Sequence, residues 1–112
     1  MSHLTQIPPL RLVGITSANS SLVVPANHVI ESILVLNNTA NAITGGLKFG
    51  TSSGGVDIVA ALTVGANALA HVFDAAMLKR FFSKTVDQAI HIDAVTLWNS
   101  ANVDVTMWLL QR

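Results

Sequence analysis

The chain has 112 residues, 51% of them hydrophobic and only 11% charged, with six basic and six acidic side chains and no cysteine. That length holds one domain, the missing cysteines exclude a disulfide framework and thiolate chemistry, and the zero net charge lacks the basic excess of a nucleic-acid binder. A soluble domain is typically about 25% charged, so a surface this poor in charge points to cover by copies of the same chain or by another protein.

Residues 1–9, MSHLTQIPP, read as an extended N-terminal arm. Pro8 and Pro9 forbid a helix and hold their predecessors extended. The arm's apolar side chains, Leu4 and Ile7, are expected to seat in a groove between partner subunits rather than to fold back on their own domain, the alternative being a disordered terminus. No basic stretch followed by an apolar core is seen at the start, so no signal peptide is expected. The apolar runs are too short for a membrane span, and a soluble chain made in a cytoplasm is expected, with no membrane partner.

Residues 10–112 are expected to form a single β-sandwich domain. Strand signals fall at 10–15, 21–24, 29–37, 43–49, 56–62, 69–73, 88–98 and 103–111. Turn clusters rich in Asn, Ser, Gly and Pro separate them. Many short strands at this spacing predict an all-β sandwich or barrel, and eight of them predict a small jelly roll. One segment departs from the pattern. DAAMLKRFF, residues 74–82, predicts a short helical turn with Asp74 as N-cap and Lys79 and Arg80 at the far end.

The stretch GLKFGTSSGGVDIVAAL, residues 46–62, invites comparison with a phosphate loop. Gly50 and Gly55 have the required gap, but Val56 and Asp57 stand where Lys and Ser or Thr are needed. No nucleotide cofactor is expected. A hairpin explains more: Phe49 opposite Val56, Leu47 opposite Ile58 and Ile43 opposite Leu62 form one apolar face. Lys48 then falls opposite Asp57 as a cross-strand ion pair.

The last two strand signals read as a second hairpin, joined by a loop at 99–102 with Trp98 opposite Val103. One face carries Ile90, Ile92, Ala94, Thr96, Trp98, Val103, Val105, Met107 and Leu109, and is the core face. The other carries His91, Asp93, Val95, Leu97, Asp104, Thr106, Trp108 and Leu110, half apolar where a monomer should be polar. Leu97, Trp108 and Leu110 are candidate interface residues. Either a partner protein, the second sheet or the arm covers them.

The remaining constellations give no chemistry. The four histidines, His3, His28, His71 and His91, show no close ligand spacing, and only His91 and Asp93 share a face. No metal site is expected, since that needs three or four convergent ligands. No serine sits in Gly-x-Ser-x-Gly, Glu31 is the sole glutamate, and no pair of carboxylates is nominated for hydrolysis. The chain is therefore not expected to be an enzyme. LKRFFSK, residues 78–84, reads as a loop anchored by Phe81 and Phe82 with wet basic ends. Trp98 and Trp108, with neighbouring Asn and Asp, also have the composition of a shallow sugar site.

A resemblance enters on three segments: VPANHVIESILVLNNTANAITGGLKFGTSSGGVDIVAALTVGANAL, then LKRFFS, then IHIDAVTLWNSANVDVTMWL. In this order they resemble small virion proteins of tailed bacteriophages and prophages, over roughly residues 22–110 of the chain. Similar segments occur in capsid decoration (cement) proteins and in fibre or appendage modules. The resemblance implies a non-catalytic structural protein of the virion capsid surface, a homo-oligomer, expected to be a trimer, with the major capsid protein as partner. The alternative it leaves is a tail fibre or spike module that binds host-surface glycans. It transfers no catalytic, metal or cofactor residue to any position here.

Overall fold

A computed structural model describes residues 5–16, 20–73, 82–83 and 85–111. The described residues form β1 (Thr5–Gln6), β2 (Leu10–Ile15), β3 (Ser20–Val24), β4 (His28–Asn37) and β5 (Leu47–Gly50). They continue with β6 (Val59–Leu62), β7 (Leu69–Val72), β8 (Phe82–Ser83), β9 (Gln88–Ala94) and β10 (Val103–Gln111). One sheet runs β2-β10-β4-β7, with the two-residue β1 beside β10 and the two-residue β8 beside β4; the other runs β3-β9-β5-β6. Each sheet thus has four longer strands, and all pairings are antiparallel.

The longer strands pair in a nested order: β5 with β6, β4 with β7, β3 with β9, and β2 with β10. Successive pairs fall in opposite sheets. This is the wrapping of a jelly roll, and the all-β sandwich expected from the strand spacing is the observed fold.

Alternation decides which side chains enter the core. Along β10 every second residue from Val103 to Leu109 is buried, and along β9 Ile90, Ile92 and Ala94 are. The two inner faces meet over Phe49, Leu47, Ile33, Ile90, Ile92 and Met107, all with essentially no exposure. Those residues are β-branched, aromatic or long apolar types that fit a pleated, buried surface.

Two bulges keep this alternation in phase. In β4, Ser32 stands opposite Trp108 and Ile30 opposite Leu109, so Glu31 is an extra residue. The insertion shifts the parity of β4, and Ile30 and Ile33 both reach the core. In β2, Leu12 pairs with Val105 and Ile15 with Val103. The slack is absorbed at Gly14, whose φ of +73° suits glycine and whose N–H donates to Asp104 Oδ1 at 2.9 Å.

One buried polar residue locks the loops at one end of the sandwich. Asn37 is 2% exposed. Its Nδ2 donates to the carbonyls of Asn41 (2.8 Å) and Gly65 (3.1 Å), and its Oδ1 accepts from the N–H and hydroxyl of Thr39 (3.0 and 2.8 Å). Its own N–H donates to Ala68 O at 2.9 Å. One side chain thus ties the 38–46 and 63–68 connections together, with no polar atom left unmet.

Several expectations of pairing are corrected. β5 and β6 do pair, but with Leu47 opposite Leu62 and Phe49 opposite Val59. Ile58 N–H donates to Phe49 O, so the loop is longer than the tight hairpin needs. Val56 is consequently 52% exposed. Lys48 stands opposite Asp93 of β9, and Asp57 instead accepts from the Thr51 N–H at 2.9 Å and the Thr51 hydroxyl at 2.6 Å. The loop folds against the strand so closely that a Cβ on Gly50 would lie 2.4 Å from the Gly55 carbonyl carbon.

The hairpin expected between the last two strands does not exist. β9 lies in one sheet and β10 in the other, and the chain crosses between them over residues 95–102. Both strands still turn their expected faces inward, because the two sheets share one core. The exceptions are Thr96, which is exposed, and Trp98, which is half-buried against the core.

The arm also differs from expectation where it is described. Thr5 and Gln6 pair with Gln111 and Leu110. Ile7 N–H donates to Leu109 O, and the Ile7 side chain packs half-buried against the core. A strand edge on β10 offers unpaired backbone groups, and the arm fills them despite its prolines, which follow the paired residues. The helical turn expected at 74–82 lies outside the described residues except for Phe82, which belongs to β8.

Candidate interaction face

The outer faces of the two sheets differ sharply. On β3-β9-β5-β6 the outward residues include one exposed apolar side chain, Val23, and are otherwise mostly small or polar: Ser21 opposite His91, Lys48 opposite Asp93, and Ala60 and Ala61 on β6. Such a face is at ease in water.

The outer face of β2-β10-β4-β7 is different. Trp108 stands opposite Ser32, Thr106 opposite Leu34, and Asp104 opposite Leu36; across the next strand, Leu34 faces His71 and Leu36 faces Leu69. Phe73 follows on the same side. Leu36, Leu69 and Phe73 are 40%, 65% and 65% exposed, while Leu34, Trp108 and Leu110 are half-buried. Contiguous apolar exposure of this kind marks an interaction surface.

The aromatic groups on this face form a row. The His71 ring lies 5.1 Å from that of Phe73 and 6.1 Å from that of Trp108, the latter edge-on. Between the row and the β4 bulge lies a pocket of about 180 Å³, lined by Glu31, Ser32, His71 and Trp108. The bulge is what carries Glu31 to the pocket mouth.

The sequence-predicted interface residues are thus divided. Trp108 and Leu110 lie on this face. Leu97 does not: it sits in the crossing segment, 58% exposed, bridged to Thr44, and is not brought to Trp108. Ile7 packs against the core as described, and Leu4 lies outside the described residues. Leu36, Leu69, His71, Phe73 and Glu31 were not singled out by sequence. The alternation of Leu69, His71 and Phe73 is visible in LAHVF, residues 69–73, but the pairing of β7 with β4 that brings them to this face is not.

The other candidate chemistries have structural occupations. His28 is buried, with Nδ1 2.8 Å from Ala26 O. Of the residues suggested for a sugar site, Asp93 accepts from Trp98 Nε1 at 3.3 Å and from the Ala94 N–H, while Trp108 lies on the apolar face. Among the described residues no three His, Asp or Glu side chains converge as metal ligands. Asp57 has its carboxyl held below the usual aspartate value, chiefly by the Thr51 hydroxyl; burial opposes this, and the Thr51 N–H adds a lesser lowering. It is part of a turn, not of a catalytic pair.

The face belongs to a jelly-roll sandwich with one wet and one apolar exterior. No family model matches the chain, and no curated protein does. Among solved structures, a chain of the cyanophage Pam1 capsid asymmetric unit is similar, with a TM-score of 0.43 and 14% identity, over 98% of this chain and 84% of that one.

Proposed function

We propose that the protein is a structural component of a bacteriophage capsid, a decoration protein that assembles as a homotrimer and clamps neighbouring subunits of the major capsid protein without catalysing a reaction. The observation that carries this reading is the apolar outer face of β2-β10-β4-β7. Leu36, Leu69 and Phe73 lie exposed there beside Trp108, in a chain only 11% charged. A lone domain gains nothing from such a face, whereas an assembly buries it. The sequence resemblance to tailed-phage virion proteins supplies the setting, the virion surface.

The activity on this reading is mechanical. A protein that binds the assembled shell and not its dissociated subunits shifts the balance toward the shell by mass action. Copy number per virion tests the proposal. A decoration protein is present in proportion to the capsid lattice, whereas a count of only a few copies, confined to the tail or one vertex, would instead favour a fibre module that binds host glycans.

A further inference from the structure

We propose that the pocket formed by Glu31, Ser32, His71 and Trp108 receives the guanidinium of Arg11 from a second copy of this chain. This inference rests on the copy-to-copy reading of the apolar face given above. Three observations lead to it.

The first is what a seam on this face would do to Glu31. The carboxylate is exposed, lines the pocket beside an indole and an imidazole, and has no ion-pair partner among the described residues. Closing an apolar contact over it would strip its water. An uncompensated buried charge opposes assembly strongly, so a seam here has to bring a cation.

The second is which cation is available. Two of the six basic residues, Arg11 and Lys48, lie among the described residues. Lys48 is on the outer face of the other sheet, opposite Asp93. Arg11 is on the correct face: it is exposed, it pairs in register with Thr106 of β10, two residues from Trp108, and it too has no ion-pair partner among the described residues.

The third is chemical fit. A guanidinium lays its plane on an aromatic ring while its forked N–H groups meet a carboxylate. Trp108 and Glu31 offer that pair of surfaces in one pocket. In the homotrimer proposed above, the Arg11 side of one copy would meet the Glu31 side of the next around the ring.

Charge exchange tests this. The full-length chain and the variants Arg11→Glu, Glu31→Arg and the double variant are compared by sedimentation velocity, with circular dichroism confirming the fold of each. Both sites are exposed, so the variants are expected to fold. Each single variant should associate at least about tenfold more weakly than wild type, by like-charge repulsion at the seam. The double variant should recover to within about threefold, since the pair is restored with its sign reversed. Single variants that associate like wild type, or a double variant no better than the singles, would overturn the inference while leaving the oligomer intact. Weakening by Glu31→Arg alone would overturn the choice of Arg11 and point to one of the other basic residues. A monomeric wild type would remove the copy-to-copy reading itself.

Discussion

Asn37 shows how much a single polar residue can contribute inside a chain otherwise held by apolar packing. Its side chain makes four hydrogen bonds while 2% exposed. Replacing it with alanine leaves two carbonyls and the Thr39 groups without their partner, and an unmet buried polar group costs about 1–3 kcal/mol. Asn37→Ala should therefore lower unfolding free energy by about 2 kcal/mol or more, read as a shift in urea midpoint with unchanged slope. Asp57 acts on a smaller scale. Its carboxyl is held below the usual aspartate value by Thr51, so its charged form is the one the folded state prefers. That stabilisation is present above the unfolded value and is lost as pH falls through the lower folded value. Asp57→Asn should be less stable than wild type near neutral pH by about 1 kcal/mol or less. The gap should close in acid below the folded value; a gap that stays constant with pH would place the effect elsewhere.

Elements carry the next level of specification. The β4 bulge at Glu31 is a single inserted residue on which the packing of a ten-residue strand depends. Deleting Glu31 would turn either Ile30 or the set Ile33 and Val35 away from the core, because a shift of one residue reverses every side chain beyond it. The deletion should abolish cooperative unfolding, whereas Glu31→Ala, which keeps the insertion, should leave the monomer's stability nearly unchanged; thermal melts of the two distinguish them. The same strand shows what a sequence reveals and what it hides. Inward faces were legible throughout: Ile90, Ile92, Val103, Val105 and Met107 were assigned to the core by alternation and are buried there. Partners were not. Alternation is a property of one strand, while pairing depends on long-range closure, and two strands with inward faces look alike whether they sit side by side or across a sandwich. That is why alternation alone suggests a β9–β10 hairpin, and why it sets Leu97 on the same face as Trp108. It is also why Lys48 was given Asp57 when its neighbour is Asp93. Of the candidate face, Trp108 and Leu110 were legible because they interrupt a polar alternation. Leu36 joins them through the β10–β4 pairing, and Leu69, His71 and Phe73 through the β4–β7 pairing.

The whole molecule is a sandwich with two unlike exteriors, and its proposed role follows from that asymmetry. Trp108 lies on the apolar side, opposite Ser32. Trp108→Asp should leave the fold intact, since the side chain is outside the core, but place a bare charge in the seam. Breaking a buried contact in this way costs several kcal/mol, so association should weaken by more than about 100-fold, seen as a fall to monomer mass in light scattering at micromolar concentration. The arm now has a different expected role from a free tether. Residues 5–7 pair with β10, so a chain lacking residues 2–9 should be less stable as well as altered in binding; equal melting temperatures would show that this pairing contributes little. The central claim is that the protein sits on a capsid as an oligomer. It is tested most directly by adding the purified full-length chain to capsids of its own phage that lack it, and imaging the particles by cryo-electron microscopy. The account predicts jelly-roll density repeated over the outer lattice, with the β2-β10-β4-β7 face buried between copies. Capsids that remain bare at saturating protein, or density that leaves that face open to solvent, would contradict it.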